Sequence, residues 1–443
     1  MIPAGPTPAG PTPAGPTPAG PTPAGPTSAG PTPLDAAALA PAPPVALYLH
    51  IPFCVSLCPY CDFVVYAGSA ARGPKARVAA FLDALHAELD LRADALDARI
   101  GLDRLPLDTV YLGGGTPSLL PAHAVAELLA RIRDRFGVAD GAEVTIEANP
   151  GPDERGDATA WRAAGVTRLS LGAQSLSDRE LRRLGRRHRA ADVASAVRDA
   201  RAAGIASISL DLLYDIPDSS EADWAATLAG ALALEPDHLS LYALTLDDPD
   251  AEGLTGAAGD HLPTAEGARR WRTRARPRQD EDRAAAQYQH ATDVLAAAGW
   301  RGYEISNWAR PGHESRHNRV YWERRPYEAV GPGAHAFDGL TRRWNAARLE
   351  GYLAALVPVD GRPPRLPPGG SETVDARTAA AESIILGLRT DRGVPVSATR
   401  GPSFAATFDW AAQNGLTMVA DEVRVMLTTR GRLLSNELFA RLV

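Results

Sequence analysis

At 443 residues the chain is long enough for about two or three domains around a sizeable buried core. Its 45% apolar and 22% charged residues are those of a globular protein, and a net charge of −7 argues against nucleic acid as the main partner, since phosphate binding wants a basic face. All three cysteines fall between Cys54 and Cys61, which excludes a disulfide framework. No uninterrupted apolar run reaches the roughly 18 residues of a membrane span, and the N-terminus lacks the basic and apolar regions of a signal peptide. A cytoplasmic location is therefore expected, where a reducing milieu suits thiolates; peripheral membrane contact stays open.

Residues 1–33 repeat Ala-Gly-Pro-Thr-Pro with one departure at Ser28, and residues 1–44 carry a single charged side chain, Asp35. Proline removes backbone donors and glycine raises the entropy cost of ordering, so a disordered tail is expected over 1–44. From there strand-like runs at 45–51, 109–112, 144–148, 168–171, 205–213 and 238–244 alternate with helix-like stretches at 78–96, 122–136, 161–164, 190–203, 221–234 and 284–298. A shorter seventh strand is expected at 303–305. Strand and helix in alternation imply parallel strands with right-handed crossovers, as an open doubly wound sheet or a barrel. The polar residues decide between them. Cysteines follow the first strand, Gly113-Gly114-Gly115-Thr116 the second, and Glu147 and Asn149 close the third. Gln174 follows the fourth, Asp211 lies in the fifth and Tyr242 ends the sixth. Polar residues gathered after successive strands describe one rim of a partial TIM-like (β/α)6 barrel. Residues 247–283 read as an exposed loop. Residues 370–443 read as a separate winged-helix-like module, with a helix, a short hairpin and a closing helix near 415–436.

Cys54, Cys58 and Cys61 form a C-x3-C-x2-C pattern after a strand. Three thiolates ligate three irons of a [4Fe–4S] cubane and leave the fourth iron open. An open iron can chelate the amino and carboxylate groups of S-adenosylmethionine, and one electron from the cluster would then release a 5′-deoxyadenosyl radical. The competing assignment is zinc held by the three cysteines with His50 or His188, although structural zinc sites usually pair C-x2-C units from two loops.

These residues, with Tyr111 to Ser118, resemble the oxygen-independent coproporphyrinogen III oxidase family of radical-SAM proteins, and within it the heme-chaperone branch, HemW, from about residue 45 to the C-terminus. The resemblance implies a radical-SAM core at 45–300, an extension at 301–369 and the small C-terminal domain. It implies that S-adenosylmethionine lies against Tyr48, Gly114, Gly115, Thr116, Glu147, Gln174, Arg186, Asp211 and the backbone at Ala243, with Glu147 as the ribose-binding carboxylate. His317-Asn318-Arg319-Val320-Tyr321-Trp322 matches the branch's H-N-x-x-Y-W signature, which implies that His317, Asn318, Tyr321 and Trp322 contact heme. Two functions compete. One is a heme chaperone that passes heme to acceptors such as respiratory proteins; the other is an oxidase that decarboxylates coproporphyrinogen propionates. The oxidase branch continues its triad as C-x3-C-x2-C-x-C, whereas Asp62 and Phe63 follow Cys61 here, so coproporphyrinogen conversion is not expected. A nucleic-acid-modifying role on the same scaffold is disfavoured by charge.

Overall fold

The structure, a computed structural model, describes residues 40–70, 77–101, 105–246, 254–256, 258–358 and 361–443. The expected disordered repeat lies outside the described residues except for its last few, where Ala42 N donates to Asp338 O at 2.7 Å.

Six strands run parallel in sequence order: β1 Ala46–Ile51, β2 Leu107–Gly114, β3 Val138–Ala148, β4 Arg168–Gln174, β5 Ser207–Tyr214 and β6 His238–Ala243. Between them lie helices α1 Val78–Ile100, α2 Ala122–Phe136, α3 Ala158–Ala164, α4 Asp178–Arg183, α5 Ala190–Ala202 and α6 Glu221–Ala233. Alternation along each strand separates two faces. Val110, Leu112, Val144, Ile146, Leu169, Leu171, Ile208, Leu210 and Leu212 join one apolar core with Leu85, Leu128, Val197 and Leu228 from the helices. Burying such a side chain fully contributes about 1.5–3 kcal/mol. The opposite face carries Thr109, Tyr111, Glu143, Thr145, Glu147, Arg168, Ser170, Ser207, Ser209 and Asp211, buried or nearly so and largely polar. A polar interior under an apolar mantle is what turns this sheet into a site.

The sheet is larger than the six expected strands. Residues 301–369 extend it at both edges to twelve strands. At one edge β7 Arg301–Gly302 and β8 Asn307–Ala309 form an antiparallel pair beside β6. The expected strand at 303–305 is instead the connection between them: Tyr303 is fully buried with its hydroxyl 3.1 Å from His238 Nε2, so its apolar character serves the core rather than a ladder. At the other edge β9 Tyr327–Val330 pairs parallel with β1, and β10 His335–Phe337, β11 Thr341–Asn345 and β12 Gly369–Thr373 follow antiparallel.

The segment expected as a loop at 247–283 contains a helix, α7 Glu266–Ala275, whose buried positions are Ala268, Arg272 and Ala275. Its composition is too arginine-rich for an apolar stripe to be visible. Helix α8 Glu281–Ala297 packs on α6, and α9 Arg316–Trp322 carries the His-Asn-x-x-Tyr-Trp motif. Beyond 370, α10 Leu349–Leu356 is followed by α11 Ala376–Arg389, α12 Val396–Thr399 and α13 Ala405–Gln413, with a three-stranded sheet of β13 Val394–Pro395, β14 Thr417–Ala420 and β15 Arg424–Leu427. Ile384, Leu388, Phe408, Leu416 and Leu427 give this module its own core.

Candidate cofactor site

The cysteine loop leaves β1 and is pinned at its start by a two-residue parallel ladder between Phe53–Cys54 and Tyr66–Ala67. A backbone bond from Cys61 N to Cys58 O, 3.0 Å, closes its second turn. The glycine motif after β2 packs directly on it: Gly115 N and Thr116 N donate to Ile51 O and Phe53 O at 2.9 and 2.8 Å. A Cβ on Gly115 would stand 2.8 Å from those two carbonyl oxygens, so only glycine fits.

Each sulfur region is met by polar groups. Thr116 Oγ1 accepts from Asn149 Nδ2 at 3.1 Å and lies 3.3 Å from Cys54 Sγ, to which its own proton can point. Arg186 Nη1 donates to Cys58 Sγ at 3.6 Å, while Nη2 donates to Gly172 O at 2.8 Å and to Asn149 Oδ1. From the other side Arg272 donates through Nε to Pro59 O at 3.1 Å and through Nη2 to Cys61 O at 2.9 Å. Burial pushes the Cys54 thiol up to about 12 and holds Cys61 well above the usual thiol range, so iron loading must displace these protons. Among the described residues no three His, Cys, Asp or Glu side chains converge as ligands of a single metal ion, the cysteines included. A cubane asks for something different, three thiolates each reaching its own iron, and the donor set fits that group.

The rest of the rim continues from this loop. Tyr48 OH lies 3.0 Å from His50 Nδ1, whose Nε2 faces Val64 O at 2.8 Å. Val64 O can only accept, so Nε2 carries the proton and Nδ1 accepts from Tyr48. Gly114, at φ +107, lies against that imidazole; a Cβ there would come within 2.4 Å of His50 Cε1. Glu147 Oε1 accepts from Tyr111 OH at 2.7 Å and Oε2 from Gly114 N at 2.9 Å. Ser170 Oγ lies 3.1 and 2.9 Å from the two oxygens of Asp211, whose carboxyl is pushed up to about 7 by burial and then by the charge of Glu147. Gln174 ends β4 at a bulge with φ 63, and Ala243 is the last residue of β6. The structure thus brings Cys54, Cys58, Thr116 and Arg186 into one hydrogen-bonded group, and Tyr48, Gly114 and Glu147 into a second beside it.

The residues implied to contact heme are arranged otherwise. His317 is 1% exposed, with Nδ1 2.7 Å from Thr109 Oγ1 and Nε2 2.8 Å from Tyr321 OH. Asn318 is buried and its backbone N–H caps onto Ser315 Oγ at 2.8 Å. Trp322 lies under the Arg389 guanidinium, 4.7 Å from its ring centre, and so faces the C-terminal module. Helix α9 plugs the barrel interior rather than presenting a flat porphyrin surface.

Three features escaped the sequence reading. Arg272 sits in a stretch without apolar pattern. Asn149 was visible at the end of β3 but not as the bridge between Thr116 and Arg186. His335 follows β9, with its Nε2 2.8 Å from Asp260 Oδ2, and His261 Nδ1 is 3.1 Å from Asp260 Oδ1. Only the glycines of Gly331-Pro332-Gly333 hinted at a turn there.

A parallel barrel whose first strand runs into three thiols, with glycines and carboxylates around the same rim, defines a radical-SAM protein. Residues 48–229 match the model of the Radical SAM superfamily. Over 406 residues the chain is 37% identical to the heme chaperone HemW of Mycobacterium tuberculosis (strain CDC 1551 / Oshkosh), covering 91% of this chain and 96% of that one. It is 34% identical over 360 residues to the heme chaperone HemW of Synechocystis, 79% of each chain. Coproporphyrinogen III oxidase (HemN) from Escherichia coli, a radical SAM enzyme, shares the fold with a TM-score of 0.73 at 22% identity over 91% of both chains. The chain belongs to the HemW family of heme chaperones.

Proposed function

We infer that this protein is a heme chaperone that holds a [4Fe–4S] cluster and S-adenosylmethionine on its barrel rim and hands heme to acceptor proteins. The observation that carries the reading is the 37% identity to a heme chaperone across 96% of that relative's length. Asp62 and Phe63 after the triad, in place of the oxidase spacing, point the same way.

Cys54, Cys58 and Cys61 would hold the cluster, leaving one iron open to S-adenosylmethionine; the cluster supplies the electron for reductive cleavage of the sulfonium. Glu147, already aimed by Tyr111 and Gly114, is the carboxylate suited to ribose hydroxyls, and Tyr48, Gly115, Gln174, Arg186, Asp211 and the Ala243 backbone complete the pocket. Heme is cargo. The histidine open to solvent on this rim is His335, with 41% of its side chain accessible and its ring stacked 6.1 Å from that of Trp344. It offers an imidazole and a flat indole face together.

The test is to incubate the reconstituted protein with heme, and separately with coproporphyrinogen III, S-adenosylmethionine and reductant. One heme per chain with coproporphyrinogen unconverted is expected. Multiple turnovers to protoporphyrinogen would establish the oxidase instead and leave the radical-SAM site in place.

A further inference from the structure

The histidine of the His-Asn-x-x-Tyr-Trp motif has no nitrogen to give to an iron as it stands. Both ring nitrogens are engaged by hydroxyls, its backbone N–H donates to Glu143 Oε1 at 3.1 Å, and burial holds its pKa at about 3, so the ring is neutral. What it does touch is Tyr111. The two rings stack with centroids 4.9 Å apart and an interplanar angle of 29°, and Tyr111 also meets Tyr48 at 5.9 Å and 30°. Tyr111 in turn donates its hydroxyl to Glu147 Oε1 at 2.7 Å.

We propose that His317 is a positioning residue of the S-adenosylmethionine site, fixing Glu147 through Tyr111, and not an axial ligand of heme. The proposal rests on the reading of Glu147 as the carboxylate that binds the cofactor's ribose. A carboxylate that must accept two hydroxyl protons needs a fixed plane, and here two donors set it: the Gly114 amide, held by backbone, and the Tyr111 phenol, held only by the rings beside it. His317 is anchored at three points and Tyr111 lies on it. Removing the imidazole frees Tyr111 to rotate and leaves Glu147 with one donor in a buried site, where the missing hydrogen bond is not replaced by water.

His317→Gln, Tyr111→Phe, their combination and Glu147→Ala are compared as iron-loaded proteins, with S-adenosylmethionine affinity read by calorimetry and the heme Soret band read in the same preparations. Each single variant is expected to weaken S-adenosylmethionine binding about tenfold, and the double variant no more than about twofold further, because the two changes break one relay. The Soret band of His317→Gln is expected to superimpose on that of wild type. Additive losses would show a merely structural effect and overturn the proposal, as would wild-type S-adenosylmethionine affinity or a shifted Soret band in His317→Gln. Should His317→Gln not fold, a wild-type affinity in Tyr111→Phe overturns the relay on its own. Wild-type affinity in Glu147→Ala would instead remove the carboxylate reading, and the proposal with it.

Discussion

Arg272 donates through Nη2 to the carbonyl of Cys61 at 2.9 Å and is 5% exposed, although it lies more than two hundred residues downstream of the triad. Its Nε reaches Pro59 O, and Trp271 beside it meets the ring of Tyr60 at 6.5 Å. Helix α7 therefore clasps the Cys58–Cys61 turn from outside. Two hydrogen bonds from a buried guanidinium are worth roughly 1.5–3 kcal/mol each, so Arg272→Gln should lose its cluster to an iron chelator at least about tenfold faster than wild type. Lysine cannot span both carbonyls from one fork and should fall between. Arg276→Gln is the control, since Arg276 lies just beyond the helix and reaches Leu246 O instead. Equal rates of iron release in Arg272→Gln and wild type would show that the clasp does not hold the cluster.

The cluster itself is tested by composition. Anaerobically reconstituted protein should contain about four irons per chain with broad absorbance near roughly 400 nm, and Cys54→Ala, Cys58→Ala and Cys61→Ala should each abolish it. Stoichiometric zinc without iron in such preparations would be decisive against the assignment.

Much of this was legible because the fold writes its chemistry at strand ends. The six parallel strands follow from runs such as Ile208-Ser209-Leu210-Asp211-Leu212, where alternate residues serve the apolar mantle and the polar interior. The triad and the glycine motif are contiguous and needed no tertiary knowledge. What was hidden depends on distance along the chain. The clasp by Arg272 pairs a side chain with two carbonyls, and carbonyls carry no sequence signal. The edge strand Tyr327–Val330 is short, and its pairing with β1 is a tertiary event. His317 was legible as part of a motif, but its surroundings were not: a histidine aimed at two hydroxyls reads the same in sequence as one aimed at solvent.

Asp211 links the rim to pH. Its carboxyl, ordinarily near 3.8, is pushed up to about 7 by burial and by the charge of Glu147. Between about pH 4 and 7 the folded chain therefore binds more protons at this position than the unfolded chain, and this residue's contribution to stability falls as pH rises through that window. Asparagine keeps the shape without the ionisation. Asp211→Asn should gain stability relative to wild type between pH 5 and pH 8, by at most about 4 kcal/mol for a three-unit shift. Denaturant unfolding at the two pH values measures it in the protein without cofactor; parallel pH profiles for the two proteins would contradict it. The buried histidines run the other way. Burial lowers His50 and His188 to about 4, so their contribution is complete above the unfolded value of about 6.5 and is lost as pH falls through 4.

Heme should report on His335 rather than on His317. The ring of His335 is partly open to solvent, is held by Asp260 through Nε2 at 2.8 Å, and stacks on Trp344. Asp260 is held well below the usual carboxylate range by its bonds to His261 and His335, after opposing burial, so it stays ionised and takes the proton of each nitrogen that faces it. That fixes the tautomer and makes the imidazole more electron-rich, as carboxylate partners do for metal-bound histidines. The turn that carries His335 also packs on the cysteine loop: a Cβ on Gly333 would stand 2.6 Å from Val64 Cγ2. Heme bound there would sit on the same rim as the cluster. His335→Ala should shift the Soret band and weaken heme binding by about tenfold or more, while iron and sulfide content stay at wild-type levels. Trp344→Ala should weaken binding without moving the band, since it removes a stacking face and no ligand. An unshifted Soret band in His335→Ala would mean that the axial ligand lies elsewhere on the chain.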